Sequence, residues 1–292
     1  MAQRPPDTVG LAGLGTMGLP IARRLLATEV DLGVWNRSPA PSAALSGEGA
    51  RVAESFEALL RDHDVVLLML FNEAGADAVL RRDGDGLGVD VGGKLIVQMG
   101  TTALEHSQAL RSAIIANGGR YVEAPISGSR IPAERGELVA MIAGDAMDKA
   151  QLGPLFERFT RTVVDCGEVP RALAMKLASN FLLGPLMVGL IDATAFARRA
   201  GLDMSLFAEV LLNGQMASPI VTAKLTKLLA EDYSPHAAIN NVIQVAEVTL
   251  EAGHALGLDR SLLGHCRERV IEAIDAGLGA EDMVALEKLL RR

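Results

Sequence analysis

Thr8-Val-Gly-Leu-Ala-Gly-Leu-Gly-Thr-Met-Gly18, continued by Leu19-Pro-Ile-Ala-Arg-Arg-Leu-Leu26, decides the fold. Thr8 to Ala12 is a short apolar run and reads as a buried strand. Leu19 to Leu26 has helical periodicity, with Pro20 in the opening turn, where a missing N–H costs nothing. Between them stand three glycines spaced G-x-G-x-x-G. Gly13 suits a tight turn, Gly15 lets a pyrophosphate approach the backbone, and Gly18 lets the helix pack closely on the strand. The free N–H groups of the helix start then face the phosphates. Such a triplet alone is weak evidence for a nucleotide site, but here it sits in the strand-turn-helix context that the chemistry needs. Gly13, Leu14, Gly15, Thr16, Met17 and Gly18 are therefore expected to form a dinucleotide-binding turn.

Asp31 to Trp35 reads as the second strand. Its end is where an NAD site usually carries an acid for the ribose hydroxyls. This chain has Asn36-Arg37-Ser38 instead. No carboxylate repels a 2′-phosphate there, and a guanidinium can bind one bidentately. Asn36, Arg37 and Ser38 are read as cofactor contacts and NADP as the cofactor. The plainer alternative for Arg37 is a solvated loop arginine.

Downstream, Val52–Leu60 is expected to be a helix, Asp64–Leu70 and Leu95–Met99 strands, Leu104–Asn117 a helix, and the surroundings of Tyr121-Val122 another strand. Residues 138–143, 155–159 and 162–165 read as strand, helix and strand. The run from Arg82 to Lys94 resembles a calcium loop superficially. Counting from Asp83, it fails at the fifth position, Leu87, and at the twelfth, Lys94, so it reads as a glycine-rich connection. Alternating β and α segments imply a mostly parallel sheet covered by helices. Glu123-Ala-Pro-Ile-Ser-Gly-Ser129 follows a strand, and its Ser-Gly-Ser turn can offer N–H groups and hydroxyls to an anion. Taken alone, such a turn is more often plain surface.

After Gly167 every periodic segment is helical. The expected architecture is α/β: a Rossmann-type domain with a parallel sheet at 1–167, then an all-α domain at 168–292 for substrate and dimerisation, joined by a long interdomain helix. That helix, Val169 to Gly201, is apolar nearly all round, which predicts burial on most sides and a kink at Pro185. A membrane span is disfavoured by its short charge-free run and by Asn180 and Pro185. Lys176 and Asn180 lie four residues apart, hence on one face of the helix. A lysine in such a setting is costly without a task. Further helices are expected near 203–213, 217–230, 235–256, 260–276 and 281–291, with Asp203, Ser234-Pro235 and Asp259 as start signals and Gly257 and Gly277 as stops.

Composition narrows the function. The 292 residues are 49% apolar and 22% charged, as in a well-cored globular chain. A net charge of −8 argues against nucleic acid as a partner. Cys166 and Cys266, a hundred residues apart, read as inert thiols. The five histidines show no metal-ligand spacing. No apolar signal segment is visible in Met1–Asp7, so the cytoplasm is the expected compartment. The apolar helical half suggests a homodimer or higher homo-oligomer.

Together these residues resemble the β-hydroxyacid dehydrogenase family, which includes 3-hydroxyisobutyrate dehydrogenases and glyoxylate/succinic semialdehyde reductases. Gly13–Pro20 is similar to the family's cofactor signature, Glu123–Ser129 to its substrate-binding stretch, and Met175-Lys176-Leu177 with Asn180 to its catalytic stretch. Residues 130–138 and Trp35-Asn36-Arg37-Ser38 resemble the NADPH-using semialdehyde and glyoxylate reductase branch most. The resemblance implies that Lys176 is the general acid/base and that Asn180 helps hold the substrate. It implies that Ser127 and Gly128, beside Ser129, cradle a substrate carboxylate, and that Met69, Leu70 and Thr101 lie near the nicotinamide. The chain departs from the family at one place: where a Lys-Asp pair is usual, counting back from Gly257 gives Gln244-Val245. That departure puts Gln244 on the expected substrate side and opens bulkier or less charged substrates, imines included. A catalytically idle NADP-binding sensor is the alternative of another class.

Overall fold

The computed structural model describes residues 8–291. The lead-in Met1–Asp7, where a signal segment was sought, lies outside the described residues. By internal packing the chain divides into two compact units, up to Lys176 and from Leu177 onward. The division falls inside the long helix.

The first unit runs β1 (Thr8–Ala12), α1 (Gly18–Leu26), β2 (Asp31–Trp35), α2 (Pro39–Ser46), β3 (Arg51–Val52), α3 (Phe56–Asp62), β4 (Val65–Leu68) and α4 (Glu73–Leu80). It continues through the short strands β5 (Arg82–Asp83) and β6 (Gly86–Leu87), then β7 (Leu95–Gln98), α5 (Leu104–Ala116), β8 (Arg120–Glu123) and β9 (Ile126–Ser127). α6 (Arg130–Arg135), β10 (Leu138–Gly144), α7 (Ala146–Phe156), β11 (Thr160–Gly167) and the start of α8 (Arg171–Arg199) complete it. The main sheet is ordered β11-β10-β8-β7-β4-β1-β2-β3, with β9 against β10. Its pairs are parallel except where β10 meets β8 and β9. β1 lies between β2 and β4, so the strand order reverses there, and the crevice beyond its carboxyl end is the place for a ligand.

Strands such as Val65–Leu68 are continuous apolar runs because both sheet faces are covered. One face buries Leu11, Leu67, Val97 and Val122 against Ile21 and Leu25 of α1 and Phe156 of α7. The other buries Val66, Leu68 and Ile96 against Leu59 and Leu60 of α3, Leu80 of α4 and Leu110 of α5.

Several boundaries differ from the sequence reading. Val52 ends an edge strand, and the helix starts only at Phe56, because Ser55 Oγ accepts from Ala58 N at 3.1 Å and sets the start. The helix expected at 155–159 runs over Ala146–Phe156, opened by Asp145, whose carboxylate accepts from Met147 N at 2.9 Å. α2 and α4 were not anticipated. The glycine-rich connection contains the β5–β6 hairpin.

The second unit holds the rest of α8 with α9 (Met204–Asn213), α10 (Pro219–Ala230), α11 (Ile239–Ala255), α12 (Leu262–Asp275), a 3₁₀ turn at Met283–Leu286 and α13 (Glu287–Leu290). Asp203 caps α9 as expected, accepting from Ser205 N at 2.8 Å. α11 starts after Ala238 rather than at Ser234-Pro235, and α12 after Ser261 rather than Asp259. Asp232 takes the Ser234 N–H and Asp259 takes His254, so both side chains serve loops. The core joins Met187, Leu190 and Ile191 of α8 to Leu225 and Leu228 of α10 and Val270 of α12. Lys224 Nζ and Asp282 form a buried pair at 2.7 Å, and Asp282 also accepts from His236 N and Ala237 N.

α8 continues through Pro185 as one helix. It is long and apolar enough to cross a bilayer by length and composition. The expectation that it is buried on most sides fails: Met175, Leu182, Leu183 and Phe196 are exposed. Apolar composition reports that a surface prefers cover, not that a single chain supplies it.

Candidate active site

The turn between β1 and α1 separates its glycines by function. Gly13 has φ +96°, and a Cβ there would lie 2.3 Å from the Met69 carbonyl oxygen. A Cβ on Gly18 would lie 1.9 Å from the Gly13 carbonyl oxygen. Neither position accepts a side chain without moving backbone. Around the Cβ position of Gly15 nothing lies within 4 Å. Two glycines thus close the turn, and the middle one leaves space over the helix start, which fits a diphosphate resting on backbone N–H groups. Gly15 and Thr16 are exposed, Leu14 is buried, and Met17 packs its side chain against the core beneath.

Asn36 holds this turn from β2. Its Oδ1 accepts from Leu14 N at 2.9 Å and its Nδ2 donates to Ser38 O at 2.8 Å, while Gly13 N donates to Trp35 O at 3.0 Å. Asn36 therefore shapes the loop that presents Arg37 and Ser38, both exposed. Arg37 lines a cavity of about 750 Å³ together with Trp35, Ser42, Phe56 and Val79. A larger cavity of about 890 Å³, between α11 and the start of α12, contains none of the candidate residues. Volume alone is no guide to the chemistry here.

Met69 and Leu70 follow β4, half-buried, with Met69 N donating to Ala12 O at 2.9 Å. Thr101 follows β7, also half-buried. All these residues stand at the carboxyl ends of β1, β2, β4 and β7, beside the reversal in strand order. Ser127 lies in β9, Gly128 follows with φ +134°, and Ser129 precedes α6. A Cβ on Gly128 would lie 2.5 Å from Leu138 Cδ2, so this turn too needs glycine.

Lys176 lies in the second turn of α8, half-buried as a residue. Burial pulls its pKa from the usual 10.5 down to about 8. Its ammonium is thus costly to keep charged, and the proton can leave near neutral pH. Asn180, four residues on along the same helix, is buried in the second unit, and its Nδ2 has no hydrogen-bond partner among the described residues. A buried amide that gives nothing to the protein is suited to a ligand oxygen. Gln244 is exposed on α11 of that unit.

Three buried polar residues escaped the sequence reading. Gln98 at the end of β7 and Thr102 just after it are fully buried, with no partners for the Gln98 amide or Thr102 Oγ1 among the described residues. Glu123, fully buried at the end of β8, accepts from Ser107 Oγ at 2.8 Å and from the backbone N–H of Ala172 at 2.8 Å. No local signal marks Glu123, because β8 reads Arg-Tyr-Val-Glu and the donors its carboxylate must find come from α5 and α8. Among the described residues no group of three or more His, Cys, Asp and Glu side chains is placed to hold a metal.

Comparison with known proteins gives two family matches that meet between residues 167 and 171. The family described as the NAD binding domain of 6-phosphogluconate dehydrogenase matches residues 8–167, and that described as the NAD-binding of NADP-dependent 3-hydroxyisobutyrate dehydrogenase matches residues 171–290. Glyoxylate/succinic semialdehyde reductase 1 of Arabidopsis thaliana is 28% identical over 278 residues, 95% of this chain and 96% of its own length. The solved structure of Psf3 in complex with NADP+ and 2-OPP is 27% identical with a TM-score of 0.86, covering 97% of this chain and 100% of that one. The 3-hydroxyisobutyrate dehydrogenase (ygbJ) from Salmonella typhimurium, at 24% identity and a TM-score of 0.87 over 97% of this chain and 99% of its own, shares the fold. The protein is an NAD(P)-dependent oxidoreductase of hydroxyacid dehydrogenase/reductase type. With its glycine turn, its two-part architecture and both family matches, the chain belongs to the β-hydroxyacid dehydrogenase family.

Proposed function

We propose that this chain is an NADPH-dependent reductase that interconverts a small aldehyde or keto acid and the corresponding hydroxy acid, with Lys176 as general acid/base. The observation that carries the reading is Lys176 itself: a lysine on an apolar helix, its pKa lowered to about 8 by burial, four residues before a buried asparagine amide with no partner among the described residues. The glycine turn would hold the dinucleotide diphosphate, and Arg37 with Ser38 would take the 2′-phosphate. The bound cofactor supplies hydride to the carbonyl carbon. As charge grows on the carbonyl oxygen, the Lys176 ammonium gives it a proton, and in the oxidative direction the neutral amine takes that proton back. Asn180 Nδ2 would donate to the substrate and keep it against the lysine, while Ser127 and Gly128 would receive its carboxylate. Gln244, in place of the family's usual cation, favours a less charged tail on the substrate.

The test compares Lys176→Ala and Lys176→Arg with wild type over a panel of semialdehydes, keto acids and cyclic imines. Alanine should remove a general-acid contribution of roughly 10²–10⁴-fold in kcat while NADPH binding survives. Arginine should fail too, since it keeps the charge but gives up no proton near neutral pH. An arginine variant within a few-fold of wild type defeats the assignment.

A further inference from the structure

Helix α8 begins without an acidic residue of its own in the first turn. The first N–H groups of a helix have no carbonyl within the helix to bond. Here Glu123, at the end of β8 and 49 residues earlier, supplies the acceptor: its Oε1 takes Ala172 N at 2.8 Å and Leu173 N at 3.2 Å. Its Oε2 accepts from Ser107 Oγ at 2.8 Å, and Ser107 Oγ stands 2.9 Å from the Tyr121 hydroxyl. Since Ser107 spends its proton on Glu123, Tyr121 donates to Ser107, and the chain of donors ends at the carboxylate. Glu123 and Ser107 are both fully buried. The carboxylate therefore has a donor on each oxygen, and its reach sets where the helix starts.

Lys176 follows Leu173 by three residues, about 4.5 Å along the helix axis. Burial lowers its pKa. The hydrogen bonds from Ala172 N and Leu173 N to Glu123 join the two residues through the backbone of the helix. We propose that Glu123 is the positioning residue for Lys176: it ties the first turn of α8 to the carboxyl end of β8 and so fixes the depth at which the helix carries the lysine amine. The catalytic consequence rests on the reading of Lys176 as proton donor; the positioning does not.

Two substitutions separate reach from charge. Glu123→Gln keeps the oxygen at the same reach and loses the charge. Glu123→Asp keeps the charge and withdraws it by one carbon–carbon bond, about 1.5 Å. The primary readout is the Lys176 titration midpoint, followed by NMR on lysine labelled at Cε and assigned by the signal lost in Lys176→Arg. Glu123→Gln should keep the midpoint near 8. Glu123→Asp should raise it by a unit or more towards 10.5, with kcat for reduction down about tenfold or more and KM for NADPH unchanged. If the aspartate protein does not fold, Ser107→Ala, which frees the carboxylate to swing, should move the midpoint in the same direction. A lower Tm with an unmoved midpoint in the aspartate or, failing that, the Ser107 variant reduces Glu123 to a stability role and overturns the proposal. So does a midpoint that moves with glutamine and not with aspartate, because charge would then be the link. Turnover that survives Lys176→Ala would remove the catalytic reading alone, since the NMR midpoint reports the amine directly.

Discussion

Gly15→Ala offers a clean separation of folding from cofactor binding. The position has no neighbour within 4 Å of the new methyl and no positive φ, so the folded chain accommodates alanine without strain. Losing a glycine also removes freedom from the unfolded chain, a gain of about 0.4–1 kcal/mol. Stability should therefore hold or rise slightly. Binding should suffer, because the methyl enters the space through which a phosphate approaches the backbone. Loss of one charge-assisted hydrogen bond is worth about 1.5–3 kcal/mol, or roughly 10- to 150-fold in Kd. Gly18→Ala is the contrast: its methyl would sit 1.9 Å from the Gly13 carbonyl oxygen, so backbone must move and the loss falls on folding. That loss should exceed about 3 kcal/mol, the upper end of ordinary single substitutions. Urea unfolding of the apo proteins and fluorescence titration with NADPH measure the two effects separately. Wild-type NADPH affinity in Gly15→Ala would refute the assignment of this turn to the diphosphate. A stability loss in Gly15→Ala comparable to that in Gly18→Ala would refute the geometric argument itself.

Arg37→Ala should weaken NADPH binding by about 1.5–3 kcal/mol and leave NADH nearly unchanged; equal losses for the two cofactors remove the 2′-phosphate role. With Lys176 titrating at about 8, kcat/KM for reduction should be level below that pH and fall above it, since the acid form is required, and the oxidative direction should rise through the same pH. A lysine acid at its ordinary 10.5 would leave the reductive profile flat across pH 7–9 and the oxidative one rising throughout without levelling off. The same shift has a stability sign: between about 8 and 10.5 the unfolded chain binds more protons than the folded one, so stability rises with pH across that window. Lys176→Met should abolish about 1–2 kcal/mol of that rise, a figure discounted for the partial exposure of the residue and read from urea unfolding at pH 7.5 and 10.5. The exposed apolar side chains Leu182, Phe196, Leu206 and Val210 of α8 and α9 suggest a homodimer, for which light scattering at micromolar concentration should give about twice the chain mass, and monomer alone would reject it.

What the sequence discloses and what it withholds follow from the range of the forces involved. The β1–α1 turn is legible because glycine is demanded locally: Gly13 by its positive φ, Gly18 by contact with a carbonyl five residues back. The alternation of apolar strands and helices is legible for the same reason, since burial on both faces writes itself into every strand. Boundaries set by a capping side chain are harder. Ser55 and Asp145 each start a helix through one hydrogen bond, and nothing in the apolar period marks that residue over its neighbours. Exposure on α8 is harder still, because hydropathy describes the helix and not what covers it.

Glu123 stands at the far end of this scale. From the sequence it is the first residue of a loop motif, and an acid there looks solvated. Its role depends on Ser107, 16 residues before it, and on two N–H groups that become available only because α8 starts where it does. Lys176, by contrast, is conspicuous from the sequence because a cation on an apolar helix is rare and needs a reason. The proposed proton donor is thus visible in the chain, while the residue proposed to hold it in place emerges only from the fold. A carboxylate that acts through a helix carries no local pattern, since its partners are backbone atoms that every residue possesses.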